Sequence, residues 1–289
     1  MSSYISSPGE TVRILKGYGI KLKKSLGQNF LIDTNSAWKI VKYADVGSRD
    51  VILEIGSGIG SLTEILITRA KRIICIEIDD SIIKAFVDIF KENLKRKVQL
   101  IQADALRLNY TDIAGKYKIN KVVSNLPYKI AAPLILKILI EAEDIRKLFL
   151  TVQKDIAERF LASVGDKNYS SYTVKSNFLA DFNFCFKISR NCFLPRPFVD
   201  SVFIEVSRKD NKFLMKRDFN IVDFFDFVNS CFLHRRKKLV NSLLQSNSIY
   251  CHKLKLVIKL LSEIGKNKDV RAEELRLEDY IFLYKKLNV

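Results

Sequence analysis

Asn125-Leu126-Pro127-Tyr128 closes the apolar run Lys121-Val122-Val123-Ser124 and brings hydrogen-bond acceptors, a rigid turn and an aromatic ring together in four residues. An amide oxygen and a neighbouring carbonyl can accept both hydrogens of a planar exocyclic amine, while the ring offers its face to a flat base. A turn at a strand end also uses Asn and Pro for backbone reasons alone. The upstream sequence bears on which reading holds. Val51-Ile-Leu-Glu-Ile-Gly-Ser-Gly-Ile-Gly-Ser-Leu-Thr-Glu64 reads as a buried strand, a turn on Gly56, Gly58 and Gly60, and the start of a helix. Glycines in such a turn let the backbone approach a ligand with no Cβ in the way. Arg72-Ile-Ile-Cys-Ile-Glu-Ile-Asp79 ends on acids, and Glu77 follows the first glycine by about 20 residues, an interval that suits a carboxylate gripping a ribose. Val98-Gln-Leu-Ile-Gln-Ala-Asp104 again ends on an acid. The glycine pattern is Gly-x-Gly-x-Gly, not the Gly-x-Gly-x-x-Gly of dinucleotide enzymes, and Glu77, Asp79 or Asp104 alone would read as a solvated strand-end carboxylate.

Polar groups delivered in order at four strand ends call for an open α/β sheet, which binds ligands beyond the carboxyl ends of its strands. Before the first of these strands, residues 36–44 read as a helix; the first ten residues read as loose, followed by a short helix over Thr11 to Tyr18. After Tyr128, a helix is predicted over Ala131 to Glu141, where Pro133 is acceptable in the first turn. Lys147 to Gln153 reads as a fifth strand and Asp155 to Ser163 as a helix. Phe178 to Ile188 and Ser201 to Ser207 alternate apolar and polar residues, as antiparallel strands closing the sheet would. The charged stretch Arg208 to Arg217 marks a boundary, beyond which the apolar period turns helical over Ile221 to Phe232, Lys237 to Gln245, Leu254 to Ile264 and Leu277 to Leu287. The expected fold class is therefore α/β, Rossmann-like, with a mostly parallel sheet and antiparallel closing strands over residues 1–208, plus a small all-α C-terminal domain over 209–289.

Composition agrees with this plan. The 289 residues are long for one domain, and a hydrophobic content of 48% suffices for a large core. With 49 basic and 32 acidic residues the formal net charge is +17, which points to a polyanionic partner, nucleic acid or an anionic membrane. The N-terminus lacks an apolar signal core, and the best apolar stretch, Ala131 to Ile140, is short and interrupted by Lys137; the expectation is a soluble, cytoplasmic protein. Cys75, Cys185, Cys192, Cys231 and Cys251 are odd in number and form no Cys-x-x-Cys pair, and only His234 and His252 could join them at a metal, so idle thiols in a reducing compartment and no metal site are expected. Cys192 has no His near it in sequence to activate it as a nucleophile.

Taken together, the motifs resemble a class I methyltransferase using S-adenosylmethionine, and their wording is similar to that of the ribosomal RNA small-subunit adenine N6,N6-dimethyltransferases. The residues that carry the likeness are Lys24-Ser-Leu-Gly-Gln-Asn-Phe-Leu-Ile-Asp33, Glu54 to Gly60, Ile76 to Asp79, Gln102 to Ala105, Asn125 to Tyr128, Gln153 with Ala157-Glu-Arg159, Phe193-Leu-Pro-Arg-Pro197 with Val199-Asp-Ser201, Arg235-Arg-Lys-Lys238 and Arg271-Ala-Glu-Glu-Leu275. They span about residues 21 to 287. Two positions depart from the family pattern: Phe198 stands where Lys is usual, near the presumed RNA path, and Asp155 where Glu is usual.

The resemblance implies roles. Gly56 and its neighbour Gly58 would admit the methionine part of the cofactor, Glu77 would accept from both ribose hydroxyls, Asp104 would accept from the cofactor adenine amine, and Asn29 and Leu31 would close over the cofactor from the N-terminal side, beside Asn125. Asn125 and the Leu126 carbonyl would hold the target adenine amine, and Tyr128 and Phe193 would stack on the extruded base, although Phe193 before a Pro-x-Pro turn also reads as core packing. Phosphate contacts are expected from Lys23 and Lys24, with Lys21 beside them, from Arg235, Arg236, Lys237 and Lys238 at the start of a predicted helix, and from the Lys-rich segment Lys253 to Lys268, each of which alone also reads as a solvated face. The implied reaction is dimethylation of two adjacent adenines in a loop near the 3′ end of small-subunit ribosomal RNA, by a monomer acting on a pre-ribosomal particle. The rival readings are a macrolide-resistance methylase of large-subunit RNA, disfavoured by the 235–238 and 271–275 segments, and an RNA-binding assembly or transcription factor with vestigial catalysis, disfavoured by the intact Gly56, Glu77, Asp104 and Asn125 set. A nicotinamide-dependent dehydrogenase fails on glycine spacing.

Overall fold

The computed structural model describes residues 4–23, 26–210, 219–246 and 248–288. Its strands, in chain order, are β1 (Phe30–Leu31), β2 (Val51–Ile55), β3 (Arg72–Glu77), β4 (Val98–Gln102), β5 (Lys121–Asn125), β6 (Lys147–Gln153), β7 (Ala180–Ile188), β8 (Phe193–Leu194) and β9 (Ser201–Arg208). β1 and β8 form a two-stranded antiparallel ribbon, and the others make one sheet in the order β4-β3-β2-β5-β6-β9-β7. β2 to β6 are parallel where they pair, and β9 runs antiparallel to β6. β2 is buried at every residue and β3 at all but Arg72, as strands covered on both faces must be. The chain winds outward from β2 through β3 to β4, then returns to lay β5 on the other side of β2. Such a reversal leaves a crevice at the carboxyl ends of the strands.

Capping explains where several helices begin. The helix predicted from residue 36 starts at Thr34, because the Asp33 carboxylate accepts from the Ser36 amide at 2.9 Å. Residues 4–10 are not loose: the Ile5 and Ser6 amides donate to the Glu64 carboxylate at 3.0 and 3.1 Å, Ile5 is buried, and the first helix begins at Pro8 rather than Thr11. Proline suits that position, since the first turn of a helix needs no donor there.

The chain divides into two compact units, Met1–Ala157 with Phe182–Arg208, and Glu158–Asp181 with Lys209–Val289. The expected single cut after residue 208 is thus corrected: residues 158–181 group with the helical unit. Within that unit the Tyr169 hydroxyl donates to the Leu275 carbonyl at 2.9 Å, and the Phe178 ring packs on Phe219, Phe224 and Phe225. Phe178 and Leu179, read as strand, close the helix Ser171–Leu179, and the alternating strand begins only at Ala180. The C-terminal helices are Ile221–Cys231, Leu239–Leu244, Leu254–Glu263 and Leu277–Leu287. Most of the charged boundary segment Arg208 to Arg217 lies outside the described residues. Among those described, no helix is long and apolar enough to cross a membrane.

Candidate active site

A pocket at the carboxyl ends of β2 to β5 is lined by Asn29, Leu31, Gly56, Gly58, Glu77, Asp104, Asn125 and Leu126, which brings every expected cofactor and amine contact into one place. Gly56 has φ +71°, and a Cβ on it would stand 2.7 Å from the Pro127 ring. The space freed by this glycine is therefore filled by the Asn125–Tyr128 turn, so that the cofactor side and the acceptor side of the crevice abut. Gly60, at φ +94°, is overlain by the Phe90 ring in the same way.

Glu77 ends β3 almost fully buried. Its carboxylate accepts from the Gly58 amide at 3.0 Å, the Ile78 amide at 2.8 Å and the Asp79 amide at 3.1 Å, which fixes it against the glycine turn. Burial raises its pKa above the usual carboxylate value, against the pull of these amides. Asp104 accepts from the Leu106 amide at 2.9 Å and lies 3.6 Å from Arg107. Asp79 is not solvated: its side chain is enclosed and accepts from Lys23 Nζ at 2.8 Å, Gln28 Nε2 at 2.7 Å and the Ser81 hydroxyl at 2.7 Å. Burial works to raise this carboxyl, but the donors outweigh it and hold the pKa down at about 2. Lys23, expected at a phosphate, thus has its ammonium committed to Asp79; Lys24 lies outside the described residues.

Asn125 closes β5 with its amide oriented. Its Nδ2 donates to the Asn29 carbonyl at 3.0 Å, which leaves Oδ1 buried with no partner among the described residues. The Ser57 and Ser61 hydroxyls, in the same lining, are equally buried and have no hydrogen-bond partner among the described residues. Unmet polar groups of this kind carry a free-energy cost that a bound polar ligand removes, so the pocket fits a ligand as rich in polar groups as S-adenosylmethionine. The Leu126 amide is tied to the Thr151 carbonyl at 3.1 Å, which anchors the turn to β6.

Tyr128 and Phe193 do meet, at 6.3 Å between centroids and 68° between planes, but both are buried and neither lines the pocket. They pack edge to face rather than as an open slot, because Leu31 and Phe193 are paired across β1 and β8 and the Tyr128 hydroxyl lies 2.6 Å from Ser201 Oγ. Sequence reasoning missed Glu54. This residue lines the pocket, accepts from the Thr63 hydroxyl at 2.7 Å, and is raised by burial to about 8. An acid inside an otherwise apolar strand was the available signal.

In the helical unit, Arg235 to Lys238 do not begin a helix; they form the turn before Leu239. Arg235 pairs with Glu273 at 2.8 Å, Lys238 with Asp269 at 2.7 Å, and Lys237 with the neutral Gln245 at 2.8 Å. Lys238 also bridges Arg271 through the backbone, so the two family-like segments, 235–238 and 271–275, build one corner. Arg236 is exposed, with no pairing shown to a described residue. The described cysteines are free thiols, and no metal-holding cluster of His, Cys, Asp or Glu occurs among the described residues.

A glycine turn, strand-end carboxylates and an oriented acceptor at the reversal of this sheet define a class I methyltransferase. The chain matches the family of ribosomal RNA adenine dimethylases over residues 19–288 and belongs to it. It is 35% identical to the ribosomal RNA small subunit methyltransferase A of Natranaerobius thermophilus, over 96% of each chain, and 34% identical to that of Pediococcus pentosaceus, over 99% of this chain and 96% of the relative. Among solved structures it resembles a dimethyladenosine transferase from Plasmodium falciparum, with 27% identity, a TM-score of 0.73, and coverage of 89% of this chain and 96% of that one. The 23S rRNA methyltransferase ErmE shares the fold at a TM-score of 0.62 and 23% identity, over 90% of this chain and 99% of that one.

Proposed function

We propose that this protein transfers methyl groups from S-adenosylmethionine to N6 of two adjacent adenines in a 3′-terminal loop of small-subunit ribosomal RNA, acting as a cytoplasmic monomer on a pre-ribosomal particle. The observation that carries the site reading is the buried, unpartnered Asn125 Oδ1, oriented by the Asn29 carbonyl at the mouth of β5.

The cofactor, when bound, supplies a methyl group on a sulfonium; what the chain must supply is a competent nucleophile. The N6 lone pair of adenine is delocalised into its ring. Asn125 Oδ1 and the Leu126 carbonyl accept the two amine hydrogens, favour a pyramidal nitrogen, and stabilise the positive charge that develops on it. Glu77 and Asp104 hold the cofactor from the neighbouring strands, and Asn29 and Leu31 cover it, so that orientation does most of the remaining work. The nitrogen proton becomes acidic only after transfer and leaves to water, so no general base is needed and no histidine lines the pocket. Tyr128 and Phe193 would hold the extruded base once their edge-on pair opens to admit it. Phosphates would be met by Arg236 and Lys237, for which no acidic partner is found among the described residues.

The test is transfer of labelled methyl to purified small and large subunits lacking the modification, followed by nucleoside analysis. Dimethyladenosine from the small subunit alone is expected. Label on the large subunit would sink the small-subunit assignment in favour of a resistance-type methylase, and tight binding without label would leave an assembly factor.

A further inference from the structure

Phe198 is 97% exposed, the extreme among the large apolar side chains of the described residues. Its backbone is nonetheless pinned: Arg190 donates to the Phe198 carbonyl at 3.2 Å, the Arg190 amide donates to Asp200 Oδ1 at 2.9 Å, and the Lys154 amide donates to the Asp200 carbonyl at 3.1 Å. Pro197 beside it is buried. A bare aromatic ring on a held loop is preorganised, so little freedom is lost when something covers it.

The loop is fastened at both ends to the same residue of the active site. Before it, the Phe193 ring packs on Tyr128; after it, Ser201 bonds the Tyr128 hydroxyl at 2.6 Å. Three peptide steps from Phe198 to Ser201 span at most roughly 11 Å, which puts the ring within a few nucleotides of any base held by Asn125. The stretch from 187 to 200 carries three exposed basic residues, Lys187, Arg190 and Arg196, against one acid, Asp200. An exposed ring among cations is the arrangement that holds single-stranded nucleic acid, phosphates on the cations and a base on the ring.

We infer that Phe198 stacks on an unpaired base flanking the methylated adenine and so sets the presentation of the RNA; this rests on the function proposed above. Stacking of one base contributes about 5- to 150-fold in affinity. The experiment uses small-subunit particles that the wild type methylates. Phe198→Ala should lower kcat/KM for particles by at least about fivefold, mainly through KM, and leave the Kd for S-adenosylmethionine unchanged. Phe198→Leu should not restore the loss. Phe198→Trp should restore it, with emission that falls on addition of particles beyond the change given by Trp38 in the wild type. The inference is overturned if Phe198→Ala matches the wild type, or if Phe198→Leu does, since a greasy contact would then suffice. A wild type inert on small subunits gives a different pattern: it removes the proposed function, and this inference with it.

Discussion

Asn125 directs its amide nitrogen to the Asn29 carbonyl and keeps its oxygen free among the described residues, and on the proposed mechanism its replacement should separate chemistry from binding. Asn125→Ala is expected to lower the single-turnover rate by on the order of 10²–10³, the usual cost of removing one acceptor or donor aimed at developing charge. Cofactor affinity, measured by calorimetry, should change far less; an unaltered rate would remove Asn125 from the mechanism. Glu54 gives a prediction about pH. Its folded pKa of about 8 lies above the ordinary 4.5, so the stability it permits is full below about 4.5 and declines as pH rises through 8. Glu54→Gln keeps the shape and an acceptor for Thr63 without the charge, so its thermal midpoint should exceed that of the wild type at pH 8 and converge with it near pH 4.5. Identical differences at both pH values would contradict the assignment. Glu77, Asp104 and Asn125 were legible in the sequence because strand-end polarity recurs at α/β spacing. Asp79 and Glu54 were not, since what decides them is tertiary: Lys23 lies 56 residues from Asp79, and Glu54 is governed by burial under the surrounding fold. The aromatic pair was legible as a pair but not as edge-on packing, which depends on the β1–β8 register.

At the scale of elements, the glycine turn between β2 and its helix is the least substitutable piece. Gly60→Ala places a Cβ in the Phe90 ring at a left-handed φ of +94°. A loss of about 2 kcal/mol or more is expected from backbone strain and the displaced ring, read as a lower midpoint in denaturant; a loss under about 0.5 kcal/mol would mean that the turn relaxes freely. The parallel strands could be read directly, because strands such as β2 and β3, covered on both faces, are apolar at most positions. The helix Ser171–Leu179 could not, for its apolar side chains show little helical periodicity and Phe178 joins smoothly onto the alternation of β7. The N-terminal order also escaped, because the Glu64 carboxylate that binds the Ile5 and Ser6 amides stands nearly 60 residues away. Arg235 to Lys238 read as the start of the helix predicted from the apolar period, but the helix begins only at Leu239, with Lys238 bridged to Arg271.

The molecule as a whole carries its charge of +17 with several cations already compensated, as at Lys23, Arg235 and Lys238. Net charge therefore predicted a polyanionic partner better than it picked out individual contacts. The two-unit plan was legible from the switch in apolar period near residue 220, but its boundary was not, because the chain leaves the sheet unit at residue 158 and re-enters it at 182 before leaving again after 208. This interleaving means that no single cut yields two intact pieces. A fragment ending at residue 208 would retain the helix Ser171–Leu179 but lose Phe219, Phe224 and Leu275, baring Phe178 and Tyr169 to water. Expressed alone, such a fragment should aggregate, whereas one with residues 158–181 replaced by a short glycine-serine linker should stay dispersed in light scattering. Equal solubility of the two would show that residues 158–181 do not depend on Phe219, Phe224 and Leu275 for cover.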